Sequence, residues 1–369
     1  MEKTPILIVA AEASADLHAA EVVKRLRAAD PALSFYGIGG AHLRAAGLDV
    51  LGNAEDLAVM GIWEVFTHLP RIKKAYDGLL RACDTRKPAL ALLLDYPGFN
   101  FRLMKQLHRR GIPVIYYICP QVWAWHPERV EILAQYANRR LVIFPFEEKF
   151  YKERGVEARY VGHPLLDVLP EPPAAPPSGP RRIGIFPGSR WSEIRRMLPV
   201  FMGALARVRQ RIPDLEAVLF AAPTVEAGAL RKWIPTNVEI RTVDTERHAS
   251  MRELHLAFMV SGTITLEAAL LGVPGIAAYR LHPVTYALLK RRVEIAHISI
   301  VNILLGKRVF PEFIQEEATP DRLAAEALRL FGAPEELGRI RAEALALRAH
   351  LGHGAAANVV GEVKGLLTV

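Results

Sequence analysis

Leu256 to Arg280 reads LAFMVSGTITLEAALLGVPGIAAYR. It opens with a short apolar strand, Ala257 to Val260, followed by a Ser-Gly-Thr turn. A helix runs from about Ile264 to Leu271, Gly272 stops it, and a second apolar strand follows. Gly262 is expected to let the backbone turn sharply, and the Thr263 hydroxyl to cap the helix. The free N–H groups of the first helical turn, with the positive end of the helix dipole behind them, suit a phosphate. Glu267 lies one turn below Thr263 on the same face, in a helix that otherwise reads Leu, Ala, Ala, Leu, Leu. A carboxylate in so apolar a helix requires a specific partner, because burying it unpaired is costly. A ribose diol beside the phosphate is one such partner, and one of the chain's many arginines is the other.

The rest of the chain supports a large α/β molecule. Its 369 residues suggest two domains, each able to bury a core, and with 51% apolar and 23% charged residues the chain is globular. Cys83 and Cys119 are too few and too far apart for a disulfide framework or a zinc site, so a reducing cytosol is expected. No signal peptide is read at the start, and no run of about 18 apolar residues suggests a spanning helix. The net charge of +8 favours anionic partners. Nucleic acid comes last among these, because the arginines are scattered along helices rather than interleaved with exposed aromatics.

Apolar strands alternate with amphipathic segments through the first half. Strands are read at Pro5 to Ala11, Ser34 to Ile38, Ala89 to Leu94, Val114 to Cys119, Arg139 to Phe144 and Arg159 to Val161. Helices are read at Asp16 to Ala29, His42 to Ala46 and Arg102 to Arg110. Continuous apolar strands between helices point to a parallel sheet covered on both faces. LPEPPAAPPSGP, residues 169–180, then places six prolines in twelve residues and reads as a stiff linker. After it come strand Ile183 to Phe186, helix Glu193 to Arg211, strands Ala217 to Ala221 and Val238 to Thr242, and the 257–280 unit. The expected division is an N-terminal domain over 1–168, the linker, a second domain over 181–345, and a C-terminal helix over 346–369 that packs back on the first domain. Two doubly wound, Rossmann-like domains across a cleft, with ligands at the carboxyl ends of the strands, is the architecture this predicts.

The loops at those strand ends carry the candidate chemistry. Gly188-Ser189-Arg190 follows the first strand of the second half: the glycine allows close approach, the serine offers a hydroxyl and the arginine a fork of donors. With Ser261-Gly262-Thr263 it makes two anion-binding turns, which suit a diphosphate. No Gly-Lys-Ser/Thr follows either turn, and no G-x-G-x-x-G follows a strand, which disfavours ATPase and dehydrogenase chemistry. Asp95 ends a buried strand in the first half and is placed for general-base work, or else caps its own loop. Glu12, Ser14 and Asp16 follow the first strand in a similar position. Trp123 and Trp125 in PQVWAWH either line a sugar site or pack on their own loop, and His126 and His163 read as structural. His350 and His353 lack a third metal ligand nearby, and no Asp-x-Asp occurs, so no metal or other cofactor is expected.

Met60, Ile62, Trp63, Phe66 and Leu69, next to Arg71, Lys73 and Lys74, have the composition of an interfacial segment on an anionic bilayer. A helix packed on its own sheet has much the same composition.

Together these stretches resemble the bacterial lipid-A-disaccharide synthases. The resemblance is carried, in order, by AEASAD (11–16), GIGGAHLRAAG (37–47), EDLAVMGIWEV (55–65), DYPGFN (95–100) and PQVWAWHPERV (120–130). FPFEEKFY (144–151), GHPLLD (162–167), PGSRWSEI (187–194), SGTITLEAALLGVP (261–274) and NILLGKRVFPEFIQEEATP (302–320) continue it. It implies a GT-B type fold and an inverting, metal-independent glycosyltransferase. The donor is then a UDP-2,3-diacylglucosamine and the acceptor a 2,3-diacylglucosamine 1-phosphate, joined by a β-1,6 bond with release of UDP. The setting it implies is the cytosolic face of the inner membrane, with the protein peripheral; monomer and homodimer both stay open. The family's base falls on Asp95 and its first-loop pair on Glu12 and Ser14. Its nucleotide-site residues fall on Arg190, Ser261, Gly262, Thr263, Glu267, Asn302 and Gln315, and Arg280 belongs to the same region. The chain departs from the family where Ala11 and Ala15 replace two glycines of the first loop. A left-handed backbone at either alanine costs about 1–2 kcal/mol.

Overall fold

The structure is a computed structural model that describes residues 3–53, 62–124, 126–222, 225–242, 247–281, 286 and 296–367, with the backbone alone for 62–69, 240 and 242. Met60 and Trp125 lie outside the described residues. The chain forms two compact units, one made of residues 1–167 with 351–369 and the other of residues 168–350.

The first unit is built on seven parallel strands: β1 (Thr4–Ala10), β2 (Leu33–Gly39), β3 (Asp49–Asn53), β4 (Leu90–Leu94), β5 (Val114–Tyr117), β6 (Arg139–Val142) and β7 (Arg159–Tyr160). Their order across the sheet is β3-β2-β1-β4-β5-β6-β7. Alternate residues serve opposite faces, as the twofold period of a strand requires. Leu7, Val9, Tyr36, Ile38, Ala91 and Leu93 enter one apolar cluster, and Ile6, Ile8, Phe35, Leu90 and Leu92 the other. A sheet with a core on each face has to be apolar on both sides of its strands, which explains the uninterrupted runs in the sequence. The edge strand β3 escaped the sequence reading because its residues alternate between exposed and half-buried and lack such a run. The helices Ala13–Ala29 and Pro97–Arg109 begin earlier than their apolar periodicity suggests.

The closing helix Ala355–Leu367 adds Ala356, Val359 and Val363 to the second of those clusters. Asp167 accepts from the N–H groups of Gly354 and Ala356 at 2.9 and 2.7 Å at the start of this helix. Farther along, Glu362 pairs with Arg139 and Arg159.

The second unit carries six parallel strands: β8 (Arg182–Phe186), β9 (Glu216–Ala221), β10 (Glu239–Thr242), β11 (Leu256–Val260), β12 (Gly275–Tyr279) and β13 (Glu312–Ile314). Their order is β10-β9-β8-β11-β12-β13. The helix Thr263–Leu270 ends as its sequence predicts, with Gly272 in the left-handed region at φ +74°. Its last carbonyls are met from the helix Pro334–Leu351: Arg348 donates to Leu270 O at 3.2 Å and Arg341 to Gly272 O at 2.6 Å. Arg341 also donates to Pro173 O and Ala175 O, at 2.5 and 3.3 Å, which fastens the proline-rich stretch to the same helix.

The helix Ile62–Arg86 contains Ile62, Trp63, Phe66 and Leu69, and Arg71, Lys73 and Lys74 stand exposed on it after Pro70. Among the described residues no helix is long and apolar enough to cross a membrane. Cys83 and Cys119 are buried free thiols.

Candidate active site

In each sheet the chain starts near the middle, builds outward to one edge and returns to the other side of its first strand. The point of return lies between β1 and β4 in the first unit and between β8 and β11 in the second. The loops that leave a parallel sheet at such a point splay apart and open a ligand crevice. Ala10 pairs with Leu94, so Glu12 and Asp95 follow neighbouring strand ends. Phe186 pairs with Met259, so Ser189-Arg190 and Ser261-Gly262 do the same in the second unit.

Asp95 and Tyr96 both have left-handed backbones, at φ +45° and +44°, directly before Pro97 begins a helix. Two such non-glycine residues in sequence store strain, which persists only where the surroundings fix it. Asn100 does this by donating to Leu94 O at 3.1 Å and Asp95 O at 2.8 Å, while the Tyr116 hydroxyl donates to Asp95 O at 2.5 Å. Burial, and after it the Asp95 charge, holds the Tyr116 phenol well above its ordinary range, so it stays a donor. Asn100 had no role in the sequence reading. An Asn five residues beyond a strand-end Asp was its only trace.

Glu12 caps the helix Ala13–Ala29 through its extended backbone, without a side-chain cap bond, and Ser14 is exposed in the first turn. Glu12 also lies near enough to Tyr96 for its charge to raise that phenol's pKa, behind the larger effect of burial. Ala11 and Ala15 are buried with negative φ, so the alanines carry no left-handed strain and simply fill the apolar clusters. Asp16 is committed elsewhere: it accepts from the N–H groups of Gly40, His42 and Leu43 at 2.6, 2.9 and 3.2 Å and starts the helix Ala41–Ala46.

Trp123 packs not on its own loop but on the helix Pro145–Lys152, edge-on to Phe146 and donating to Glu147 Oε1 at 3.0 Å. Burial pushes the Glu147 carboxyl up to about 7, against bonds from the Phe144 and Ile143 N–H groups and Trp123. His163 is a buried structural histidine, its ring against Phe144, and burial holds its pKa down to about 3. His126 stays on the surface beside Glu128.

In the second unit Gly188 is left-handed at φ +106°, and a Cβ there would stand 2.6 Å from Glu193 Oε2. Glu193 gathers the turn. It accepts from Ser189 N at 3.3 Å, from Arg190 Nη1 at 3.1 Å and from the Tyr279 hydroxyl at 3.3 Å. Gly262, and not Thr263, is the N-cap residue of the helix Thr263–Leu270, and no side chain caps it. Its φ of 167° is extended backbone that any residue adopts, and a Cβ there would meet nothing within 4 Å. The Thr263 side chain is exposed, while Thr265 returns its hydroxyl to Gly262 O at 2.7 Å.

Glu267 has an arginine partner, one of the two its sequence suggested. Arg247 donates to its Oε1, and His248 Nε2 stands 2.9 Å from the same oxygen. Asn302 is fully buried and its amide is filled from within: it donates to Phe310 O and Glu312 Oε1 and accepts from Val309 N and Phe310 N, all at 2.8–2.9 Å. An amide has two donors and two lone pairs, so the Asn302 side chain is fully used in tying its helix to residues 309–312. Glu312 Oε1 also accepts from Ile298 N and Ser299 N, and Ile298 O in turn receives the Ser261 hydroxyl at 2.6 Å. Gln315, at φ +53°, ties down Arg280: its carbonyl accepts from Arg280 Nε at 3.2 Å and its side chain from Leu281 N. Glu193 and Glu312 were not singled out from the sequence, since nothing local distinguishes them from surface glutamates.

The lipid-A-disaccharide synthetase family model matches residues 6–345. A lipid-A-disaccharide synthase from Anaeromyxobacter dehalogenans (strain 2CP-1) is 42% identical over 372 residues, covering 98% of this chain and 97% of its own. One from Geobacter metallireducens is 42% identical over 358 residues, covering 95% and 93%. Among solved structures, the glycotransferase of kitacinnamycin superposes with a TM-score of 0.63 at 17% identity over 100% of both chains. A UDP-GlcNAc 2-epimerase from Neisseria meningitidis, solved with UDP-GlcNAc bound, does so with 0.64 at 14% identity over 100% of both. At those identities the likeness is one of fold, and it places the two sheets in the GT-B architecture. With its family model matched over residues 6–345 and about two fifths of its residues shared with such relatives along nearly the whole chain, this chain belongs to the lipid-A-disaccharide synthetase family.

Proposed function

We propose that the protein joins a UDP-2,3-diacylglucosamine to a 2,3-diacylglucosamine 1-phosphate with inversion at the anomeric carbon. The observation that carries this is the family match over residues 6–345. In the proposed reaction Asp95 takes the proton of the acceptor's 6-hydroxyl as that oxygen attacks the anomeric carbon. The bond from this carbon to UDP breaks, and the products are the β-1,6 disaccharide 1-phosphate and UDP. A carboxylate held by a rigid, strained backbone keeps its aim, which is what a general base requires. Glu12 and Ser14 contact the acceptor side.

The diphosphate is assigned to Gly188, Ser189 and Arg190 together with Ser261, Gly262 and Thr263. The open space in front of Gly262 suits the close approach of a phosphate to backbone N–H groups. Arg280 and Gln315 bind nearby, Glu267 meets the ribose while Arg247 and His248 hold it, and Asn302 supports the site from behind. No metal is part of this proposal. Arg190 and the turn N–H groups supply the positive potential for the leaving group. The protein works at the cytosolic face of the inner membrane, with residues 59–74 against its anionic surface, as a monomer or homodimer. UDP release from UDP-diacylglucosamine is the test: it is expected only with diacylglucosamine 1-phosphate present, and equal release without the acceptor would overturn the assignment.

A further inference from the structure

We propose that Glu193 is a built-in stand-in for the diphosphate: its carboxylate occupies the donors of the 188–190 turn while no nucleotide is bound and is displaced when a diphosphate arrives. This rests on the assignment of that turn to the diphosphate.

Glu193 is 9% exposed and lies in the first turn of the helix Trp191–Arg211. Its Oε2 accepts from Ser189 N at 3.3 Å, and its Oε1 from Arg190 Nη1 at 3.1 Å and from the Tyr279 hydroxyl at 3.3 Å. The backbone N–H and the guanidinium are donors of the kind a phosphate oxygen takes at a helix N-terminus. The glutamate thus already fills the turn with an anion.

It does so loosely. Hydrogen bonds between charged partners settle at about 2.7–2.9 Å, and the one such bond here, from Arg190, is longer at 3.1 Å. Two other buried carboxylates each hold two donors more closely than Glu193 holds any: Asp16 has contacts at 2.6, 2.9 and 3.2 Å, and Glu312 at 2.8, 2.9 and 3.2 Å. A phosphate, with more oxygens and more charge, can draw the same donors to shorter distances. Releasing Glu193 needs only side-chain rotation, with the backbone of the helix in place.

Gly188 supports the arrangement. A Cβ at this left-handed position would clash with the Glu193 carboxylate, so the glycine makes room for the glutamate as well as for a ligand. Tyr279, at the end of β12, gives the carboxylate one anchor outside the turn. The device keeps Arg190 oriented and the turn's N–H group satisfied between catalytic cycles, and it lowers product affinity by the work of displacing the carboxylate.

The test is calorimetry on the full chain with UDP as the probe, alongside ligand-detected NMR with uridine, which lacks the diphosphate. Glu193→Gln keeps the shape and removes the charge, so UDP should bind about three- to tenfold more tightly, with uridine unchanged. Tyr279→Phe loosens the carboxylate without touching it and should move UDP affinity the same way by a smaller factor, which keeps the proposal testable if the first variant folds poorly. Weaker or unchanged UDP binding in both variants would make Glu193 a fixed scaffold and overturn the proposal, and so would equal shifts for UDP and uridine. Arg190→Ala separates this from the underlying assignment. If that variant binds UDP like the wild type, the turn does not hold the diphosphate, whatever the Glu193 variants do.

Discussion

The side-chain amide of Asn302 donates to Glu312 Oε1 at 2.9 Å, and the same oxygen accepts the N–H groups of Ile298 and Ser299. One carboxylate oxygen therefore organises the segment whose carbonyl at Ile298 fixes the Ser261 hydroxyl. Glu312→Ala should strand at least one buried donor and cost about 1–3 kcal/mol in urea unfolding, with UDP binding weakened as the Ser261 turn loosens. Glu312→Gln retains an accepting oxygen and should lose much less. Equal losses in the two variants would mean that the carboxylate's charge, and not its hydrogen bonding, holds the segment.

Asp95→Asn replaces one residue that tolerates the left-handed region with another, so the φ of +45° is kept and only the base is lost. Turnover should fall by roughly 10²–10⁴-fold with UDP affinity unchanged, as separate kinetic and binding measurements would show. Near-normal turnover would shift the role to Glu12, since Asp16 is occupied by three backbone N–H groups.

Arg190→Ala removes a charged donor from the turn that follows β8. UDP binding should weaken by about 1.5–3 kcal/mol in calorimetry, the range for a hydrogen bond to a charged group.

His163 and Glu147 set opposing pH dependences in the first unit. Burial holds His163 down to about 3 from an ordinary 6.5, so its share of the stability is present above 6.5 and is lost as pH falls toward 3. Burial raises Glu147 from 4.5 to about 7, so its share is present below 4.5 and is lost as pH rises toward 7. Between 4.5 and 6.5 the two slopes cancel. In His163→Asn the Glu147 slope should emerge, with stability falling by roughly 1.4 kcal/mol per pH unit across that window. Glu147→Gln should show the reverse. Urea unfolding from pH 4 to 7.5 reads both, and a flat profile in each variant would refute the assignment.

Trp63→Ser with Phe66→Ser should release the protein from anionic vesicles in a flotation assay while its melting temperature stays nearly constant. A large drop in melting temperature would instead identify these side chains as core.

Local chemistry made much of this protein legible in its sequence. Continuous apolar runs predicted strands buried on both faces, Gly272 predicted a helix stop, and motifs such as PGSRWSEI and SGTITLEAALLGVP pointed to the family. Those features are written within a few residues of one another, where backbone sterics and periodicity act. The edge strand β3 and the partners of the buried carboxylates were not legible, because each depends on residues distant in the chain. Glu267 needed a protein partner that its own helix does not name, and only the fold set Arg247 and His248 beside it. The same holds for Asn302, whose amide is filled by Phe310 and Glu312, and for Asp16, which starts a helix beyond β2. The alanines at 11 and 15 raised a question of strain that a sequence cannot answer, since φ is set by the surrounding structure. A polar side chain must find a partner when buried, and the sequence states that need; which partner it finds is decided by the packing that brings the two together.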